Sequence, residues 1–188
     1  MPKDYVLTVM ARDRVGIVAG IAAAIAGLGG NIDAMSQTVM RGYFTIIVTV
    51  QFDEGISAER LAAAVKEQGA RGELEVSVTE RVPAAQEPCA EGAERFILTI
   101  AGMDRSGIMH RVTSYLASRN VNIEDLYAYC EGRRFLFIAQ LAVPRGLEVE
   151  RLQMDLGSLW PEGEMKVSLQ HENVFLATNE VEFRHKVS

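Results

Sequence analysis

The chain has 188 residues, of which 48% are hydrophobic, and this supplies enough apolar side chains for the cores of two ordinary domains. Its formal net charge of -6 and its isoelectric point near 5.2 argue against nucleic acid or an anionic membrane surface as the main partner. Its two cysteines exclude a disulfide framework, and the sequence shows neither a signal peptide nor an apolar run of about 20 residues, so we expect a cytoplasmic protein.

The first half of the chain predicts six elements in the order β-α-β-β-α-β. The expected strands are residues 5–10, 32–40, 43–52 and 73–79. Apolar side chains recur at helical spacing in residues 17–28 and predict the first helix, which the glycine pair at 29–30 ends. Ser57 is the expected N-cap of a second helix that runs to residue 68.

The second half of the chain predicts the same order of elements. The expected strands are residues 96–100, 122–130, 134–143 and 164–170, and the expected helices are residues 108–119 and 147–159. Asn120 is expected to end the first of these helices, because asparagine tolerates the left-handed backbone conformation almost as well as glycine.

These two sets of elements predict two domains, residues 1–82 and residues 95–171. Residues 83–94 form the expected linker, because this stretch contains prolines and glycine and has no apolar periodicity. Residues 172–188 form a C-terminal tail. We expect the tail to dock on the protein through its apolar side chains, which are Val174, Phe175, Val181 and Phe183.

The two halves repeat each other at an offset of 91 residues. When residues 5–53 are set over residues 96–144 without a gap, 11 of the 49 pairs are identical. Two short motifs account for six of these identities: Asp-Arg-x-Gly-Ile at 13–17 and 104–108, and Asn-Ile at 31–32 and 122–123. Their retention in two otherwise divergent copies indicates a shared role.

The Asp-Arg-x-Gly-Ile motif falls between a strand and a helix, where unpaired backbone N–H groups attract anions. Gly16 and Gly107 have no Cβ, which lets a ligand approach the backbone closely. An Asp beside such amides can bind an ammonium group while the amides bind a carboxylate, so the loop suits an α-amino acid. We expect Asn31 and Asn122, whose amides donate and accept hydrogen bonds, to lie near the same end of the sheet. A purely structural role as cap, turn and helix stop remains open at this point.

The predicted order of elements is that of the α+β ferredoxin-like sandwich, an antiparallel sheet with helices on one face. Several polar residues suit a partly wet opposite face, namely Thr8, Thr45, Thr49 and Gln51. The same strands carry more apolar residues than one thin domain needs, namely Val6, Phe44, Ile46 and Val48. We therefore expect the sheets or edges of two domains to pair, within one chain or between chains.

The succession of a hydrophobic strand, Asp-Arg-x-Gly-Ile, a helix, Asn-Ile and a β-hairpin resembles the ACT domain family, and both halves carry it. The tandem arrangement resembles the glycine cleavage system transcriptional repressor type. Residues 33–40, 42–45 and 171–175 are similar to small stand-alone ACT proteins. The resemblance implies two ferredoxin-like βαββαβ sandwiches that bind amino acids or other small metabolites at domain interfaces and regulate other proteins.

The resemblance also implies which residues bind the ligand, at an interface where the first loop of one domain meets the second-strand region of its neighbour. Carried over onto this chain, they are Asp13, Arg14, Val15, Gly16, Ile17, Asn31, Ile32, Asp104, Arg105, Ser106, Gly107, Ile108, Asn122 and Ile123. Val15 is apolar where the second copy has Ser106, so the two sites need not bind the same ligand.

From these observations we expect a regulatory protein, not an enzyme, whose ligand is an amino acid or a similar small metabolite. We expect a homo-oligomer that associates through ACT sheets or helices and acts on a partner protein, in control of amino-acid metabolism or of transcription. The sequence shows no helix-turn-helix or basic patch, so any control of transcription is expected to be indirect. We expect no cofactor, no catalytic residue and no metal, since no His or Cys pair has metal-ligand spacing.

Three alternatives stay open on the sequence. The first is a protein–protein regulator that binds no small molecule. The second is a small hydrolase on the ferredoxin-like fold, with Arg14 and Asn31 as its catalytic pair. The third is an RNA-binding module that uses Phe44 and Phe135 on its central strands, which the acidic composition disfavours.

Overall fold

The computed structural model describes residues 3–53, 55–81 and 92–176, and the chain divides into two compact units, residues 1–84 and residues 85–188. The first unit consists of β1 (Lys3–Arg12), α1 (Ile17–Gly27), β2 (Gly30–Met40), β3 (Tyr43–Phe52), α2 (Ala58–Lys66) and β4 (Glu75–Glu80). The second unit consists of β5 (Glu94–Met103), α3 (Ile108–Ser118), β6 (Asn122–Glu131), β7 (Arg134–Val143), α4 (Val149–Gly157) and β8 (Met165–His171). Both units therefore have the predicted ferredoxin-like order.

Each unit contains one four-stranded antiparallel sheet with its two helices packed on one face. The strand order is β2-β3-β1-β4 in the first unit and β6-β7-β5-β8 in the second. Side chains alternate along the central strands, and those that point to the helices are buried in a single core cluster per unit. Equivalent core positions keep the offset of 91 residues even in the second helix of each unit, as in the pairs Leu7/Leu98, Ile21/Val112 and Leu61/Leu152.

Residues with positive φ begin or end several of these elements, as the sequence predicts. Gly29 follows α1 with φ of +77° and Asn120 follows α3 with φ of +55°. Arg41 and Gly42, with φ of +50° and +80°, make the tight turn between β2 and β3. Ser57 caps α2, because its side chain accepts a hydrogen bond from the backbone N–H three residues later at 3.2 Å.

Three of the four apolar residues that we expected to crowd the outer sheet face are core residues instead. Phe44, Ile46 and Val48 point to the helices and are at most 2% exposed, since the alternation of β3 places them on that side. Of these four residues, only Val6 lies on the outer face. That face also carries Ile47, which is 54% exposed. These three residues therefore give no reason to expect the sheets to pair.

The described part of the C-terminal tail contacts the second unit. Residues 172–176 form a short helical turn after β8. Glu172 accepts a hydrogen bond from the side chain of Gln140 in β7 at 2.7 Å, which holds the start of the tail against the sheet. Val181 and Phe183, which we expected to dock, lie outside the described residues, as do residues 82–91 of the linker region.

Candidate ligand-binding site

The loop after the first strand has the same backbone geometry in both units. The N–H of Asp13 donates to the carbonyl of Gly42 at 2.9 Å, and the N–H of Asp104 donates to the carbonyl of Arg133 at 2.8 Å. Both hydrogen bonds join the loop to the hairpin turn between the second and third strands of its unit. Each Asp-Arg-x-Gly-Ile motif therefore lies at the hairpin end of its sheet.

Gly16 and Gly107 are the N-caps of α1 and α3, and both have left-handed backbone, with φ of +95° and +87°. A Cβ is strained in this conformation, so the backbone itself favours glycine. The space beside them is open: a Cβ at Gly16 would come no nearer than 3.9 Å to Arg14, and a Cβ at Gly107 would meet no described atom within 4 Å. The same glycines thus start the helix and leave its first turn accessible.

The N-termini of α1 and α3 are open to an anion. No described side chain caps either helix, and neither has an acidic residue in its first turn. In contrast, α2 is capped by Ser57 and has Glu59 in its first turn, where hydrogen bonds from its own backbone N–H and from Ser57 lower the pKa of Glu59. The unpaired N–H groups of α1 and α3 are therefore available to a carboxylate.

The side chains beside these open helix ends are accessible. Asp13 and Asp104 are exposed, and each precedes the first residue of its helix by four positions. The variable position of the motif is also exposed: Val15 is 98% exposed, and Ser106 is exposed as well. The motif isoleucines instead anchor the loop in the cores, at 4% and 3% exposure for Ile17 and Ile108.

The motif arginines form ion pairs that we did not predict. Arg14 donates from Nε to Glu73, and Arg105 lies 2.9 Å from Oε1 of Glu164 through Nη2. The hydrogen bond with Glu73 raises the pKa of Arg14, while hydrogen bonds from Arg14 and from the N–H of Ala70 lower the pKa of Glu73. Since Glu73 and Glu164 are also 91 residues apart, extending the repeat would have found them. The arginines tie each loop to the residues before the last strand.

The expectation that the asparagines lie at the loop end of the sheet is wrong. Both β1 and β2 are antiparallel to β3, so they run parallel to each other, and β2 begins at the end opposite the loop. Asn31 is level with Asp4 at the start of β1, roughly 30 Å along the strand from Asp13. Asn122 is likewise level with the start of β5. Within one unit, this separation also excludes Arg14 and Asn31 as a catalytic pair.

Each Asn-Ile motif leads directly into a β-bulge. Asn31 and Asn122 are exposed, and the isoleucines after them, Ile32 and Ile123, are partly buried. The bulged residues are acidic in both units: Asp33 lies 3.7 Å from Arg81, and Glu124 lies 2.8 Å from Arg95. Bulges change the direction of side chains and are often retained near functional sites. The Asn-Ile motif therefore has the same local geometry in both units, at the end of the sheet opposite the loop.

Other functional classes find little support in the described residues. Phe44 and Phe135 are 2% and 5% exposed and face the helices, so they cannot stack on RNA bases. Within the ranges that the structure describes, no group of three or more His, Cys, Asp or Glu side chains could hold a metal ion. No described helix is long and apolar enough to cross a membrane.

Two family models of the ACT domain match the chain, one at residues 5–66 and the other at residues 94–170. A UPF0237 protein of Corynebacterium glutamicum is 41% identical over 69 residues, which are 34% of this chain and 78% of that relative. A UPF0237 protein of Streptococcus pneumoniae is 51% identical over 49 residues, which are 26% of this chain. The chain spans 56% of the length of that second relative.

Two solved structures share the fold over most of the chain. An unknown protein from Galdieria sulphuraria is 21% identical with a TM-score of 0.75, and the match covers 91% of this chain and 99% of that one. A putative glycine cleavage system transcriptional repressor is 18% identical with a TM-score of 0.67, and the match covers 90% and 97% of the two chains. At these identities the likeness shows the fold alone.

Proposed function

The chain belongs to the ACT domain family, with one ACT domain in each half, and we propose that it is a regulatory protein that binds an amino acid or a similar small metabolite. The observation that carries this proposal is the repeated loop. In both units an exposed aspartate stands beside a helix N-terminus that begins at a left-handed glycine and that no described side chain caps.

The chemistry of this loop suits a zwitterion. The first-turn N–H groups of α1 or α3 bind the carboxylate of the ligand, helped by the positive end of the helix dipole. Asp13 or Asp104 accepts hydrogen bonds from the ammonium group. Arg14 and Arg105 act indirectly, since their ion pairs hold the loop in place.

The position of the asparagines supports a site built from more than one ACT domain. Asn31 and Asn122 are exposed but lie far from the loop of their own unit. A ligand that contacts both motifs must therefore be held by two ACT domains, and we propose that such pairing underlies a homo-oligomer. Ligand binding then favours one arrangement of the domains and shifts the population able to engage a partner protein.

A regulator that binds only proteins is the second candidate function. Large apolar side chains are exposed on the outer face of both sheets, including Ile47 at 54%, Met40 at 60% and Tyr127 at 58%. Such side chains favour a protein contact and require no ligand. This function predicts a stable protein whose unfolding is insensitive to small metabolites.

A thermal-shift screen against the twenty amino acids separates these two functions. A ligand that binds only the folded state stabilises it by about 2.7 kcal/mol at a hundredfold excess over its dissociation constant. We expect a selective rise in the melting temperature with one amino acid or a few of similar shape. If no amino acid raises it, the protein-only function replaces our proposal.

A further inference from the structure

The strand β2 is an edge of the first sheet, and almost all of it is exposed. In the order β2-β3-β1-β4, β2 has a hydrogen-bonded neighbour only on its β3 side, and no other strand of the described chain covers its free side. Nine of its eleven residues are exposed, and only Gly30 and Ile32 are partly buried. An edge strand presents a row of backbone N–H and C=O groups with which another strand can pair.

The side of β2 that faces the helices is also uncovered. Met35 and Val39 are level with Val48 and Phe44 of β3, which are core residues at 0% and 2% exposure. Residues that are level on neighbouring strands share a face of the sheet, so Met35 and Val39 lie on its core side. They are nevertheless 48% and 46% exposed. The hydrophobic core of the first unit is therefore open along β2, and burial of these side chains would stabilise the protein.

Each of the other three edge strands carries a feature that discourages strand pairing. The strand β4 is only six residues long, and it begins and ends with a glutamate. In β8 the N–H of Leu169 donates to Oε1 of Gln153 at 3.3 Å. The strand β6 contains three acidic residues and no basic residue, and the N–H of Leu126 donates to the carboxylate of Asp125 at 2.8 Å. Short length, charged side chains and covered backbone groups are common protections of sheet edges.

Most of β2 lacks such protection. Its bulge lies near its start, and its regular pairing with β3 runs from Ala34 to Met40. This segment of seven residues, Ala-Met-Ser-Gln-Thr-Val-Met, contains no charged residue and no proline. We call residues 34–40 the open edge, because both faces and the free side of this segment are accessible.

The open edge is complementary to a second copy of itself. In an antiparallel pair that is symmetric about Gln37, Met35 is opposite Val39 of the partner subunit, and Ser36 is opposite Thr38 of the partner subunit. The first pair joins two exposed apolar side chains on the core side, and the second joins two hydroxyl groups on the outer face. Cross-strand pairs of both kinds stabilise sheets, and the symmetry forms each pair twice.

The equivalent segment of the second unit is not complementary to itself. Residues 125–131 correspond to the open edge at the offset of 91 residues. The same symmetric pairing would set Asp125 opposite Glu131 of the partner subunit, once on each side of the axis. Like charges directly opposite each other destabilise a strand pair, so β6 selects against a second copy of itself.

We propose that the protein forms a homodimer in which β2 pairs antiparallel with β2 of a second copy. The open edges of the two copies form the interface, and their four-stranded sheets join into one sheet of eight strands. Met35 and Val39 extend the hydrophobic core across the interface, and β6 takes no part in it. The pairing identifies the strand through which two ACT domains of a homo-oligomer meet. It requires no bound ligand, so its test is independent of the thermal-shift screen.

Analytical ultracentrifugation of the full chain tests this pairing. We expect the wild type to sediment at twice its mass of 20.7 kDa. Gln37→Lys or Gln37→Glu places two like charges at the symmetry axis, and each should raise the dissociation constant of the dimer roughly tenfold or more. An equal mixture of the two variants should restore the dimer, because opposite charges then meet at the axis. Tyr127→Lys, at a position of β6 that is 58% exposed, is the control and should leave the dimer intact.

Four results would overturn the inference. A wild type that sediments as a monomer at every concentration would show that the open edge does not pair. A dimer that neither Gln37 variant weakens would have its interface elsewhere. A dimer that Tyr127→Lys weakens as strongly as Gln37→Lys would involve β6. Loss of the dimer in both Gln37 variants without recovery in their mixture would exclude a pairing centred on Gln37. Because Gln37 is exposed, its variants should fold, and far-UV circular dichroism checks this.

Discussion

The motif residues divide into those that build the loop and those that remain free for a ligand. Arg14 and Arg105 build it through their ion pairs with glutamates, and the motif isoleucines anchor it in the cores. Asp13 and Asp104 remain exposed beside open helix ends. We therefore expect a replacement of either arginine to act through the position of the loop, and a replacement of an aspartate to act directly on ligand binding.

The ion pair of Arg14 with Glu73 predicts a pH dependence of stability. Arg14 and the N–H of Ala70 hold the pKa of Glu73 below its ordinary value of 4.5, so the pair contributes fully above about pH 4.5 and is lost as the pH falls through the lower, folded-state pKa. Glu73→Gln should therefore flatten the fall in melting temperature below about pH 4.5. The measurement is the melting temperature from about pH 7 to about pH 3.

Glu162→Gln is the matched control for this experiment, since Glu162 is exposed and forms no described ion pair. Its melting curve should follow that of the wild type at every pH. Parallel curves for Glu73→Gln and the wild type would show that the pair with Arg14 does not stabilise the folded state.

At the residue scale, the sequence was sufficient where the chemistry is local. The Ser57 cap, the left-handed Asn120 and the glycine stop after α1 are confirmed because each depends on neighbouring residues alone. The glutamate partners were missed because they lie 59 residues beyond their arginines, outside the compared segments 5–53 and 96–144. Their equal offset in the two copies was the signal that could have found them.

The helices α1 and α3 begin at glycines because the chain must turn through a left-handed conformation there. Gly16→Ala should cost about 1–2 kcal/mol of unfolding free energy, since an L-residue is strained at this φ although the space for its Cβ is open. Gly27→Ala, at the other end of α1 with no atom within 4 Å of its Cβ, is the matched control and should be neutral or stabilising. Urea denaturation of both variants checks this.

An equal loss of stability in the two variants would contradict this reading of the N-cap. It would mean that neither end of α1 tolerates an added Cβ. Steric crowding, and not the left-handed φ, would then be the reason for glycine at these positions. A loss confined to Gly16→Ala would instead tie the repeated glycine to the backbone conformation that leaves the helix end open.

At the element scale, the order of helices and strands was easier to predict than the position of individual residues on the sheet. The bounds of β3 and β7 agree with the prediction, because both strands are flanked by clear turn residues. The place of Asn31 was predicted wrongly, since a helix that connects two parallel strands returns the chain to the opposite end of the sheet. Phe44, Ile46 and Val48 were also predicted on the wrong face of the sheet. The prediction counted apolar residues without considering that side chains alternate between the two faces along β3.

At the scale of the whole molecule, the two units share one order of elements but differ in many side chains. The offset of 91 residues joins core positions, motif loops, bulges and ion pairs in the two units. The differences include Pro161, Met103 and Arg134 of the second unit, which take the places of Ala70, Arg12 and Tyr43 in the first. We therefore expect the two units to differ in ligand binding, with one ACT domain more responsive than the other.

A calorimetric titration of the full chain, with the amino acid that raises its melting temperature most, tests whether the repeated loops bind the ligand. Asp13→Ala and Asp104→Ala are compared with the wild type, and Asp53→Ala, an exposed aspartate outside both loops, is the control. We predict that at least one loop variant weakens binding roughly tenfold or more, as expected for the loss of a charge-assisted hydrogen bond, and that the control does not. Unchanged affinity in both loop variants would contradict the account, because the repeated loops would then not be the ligand-binding sites.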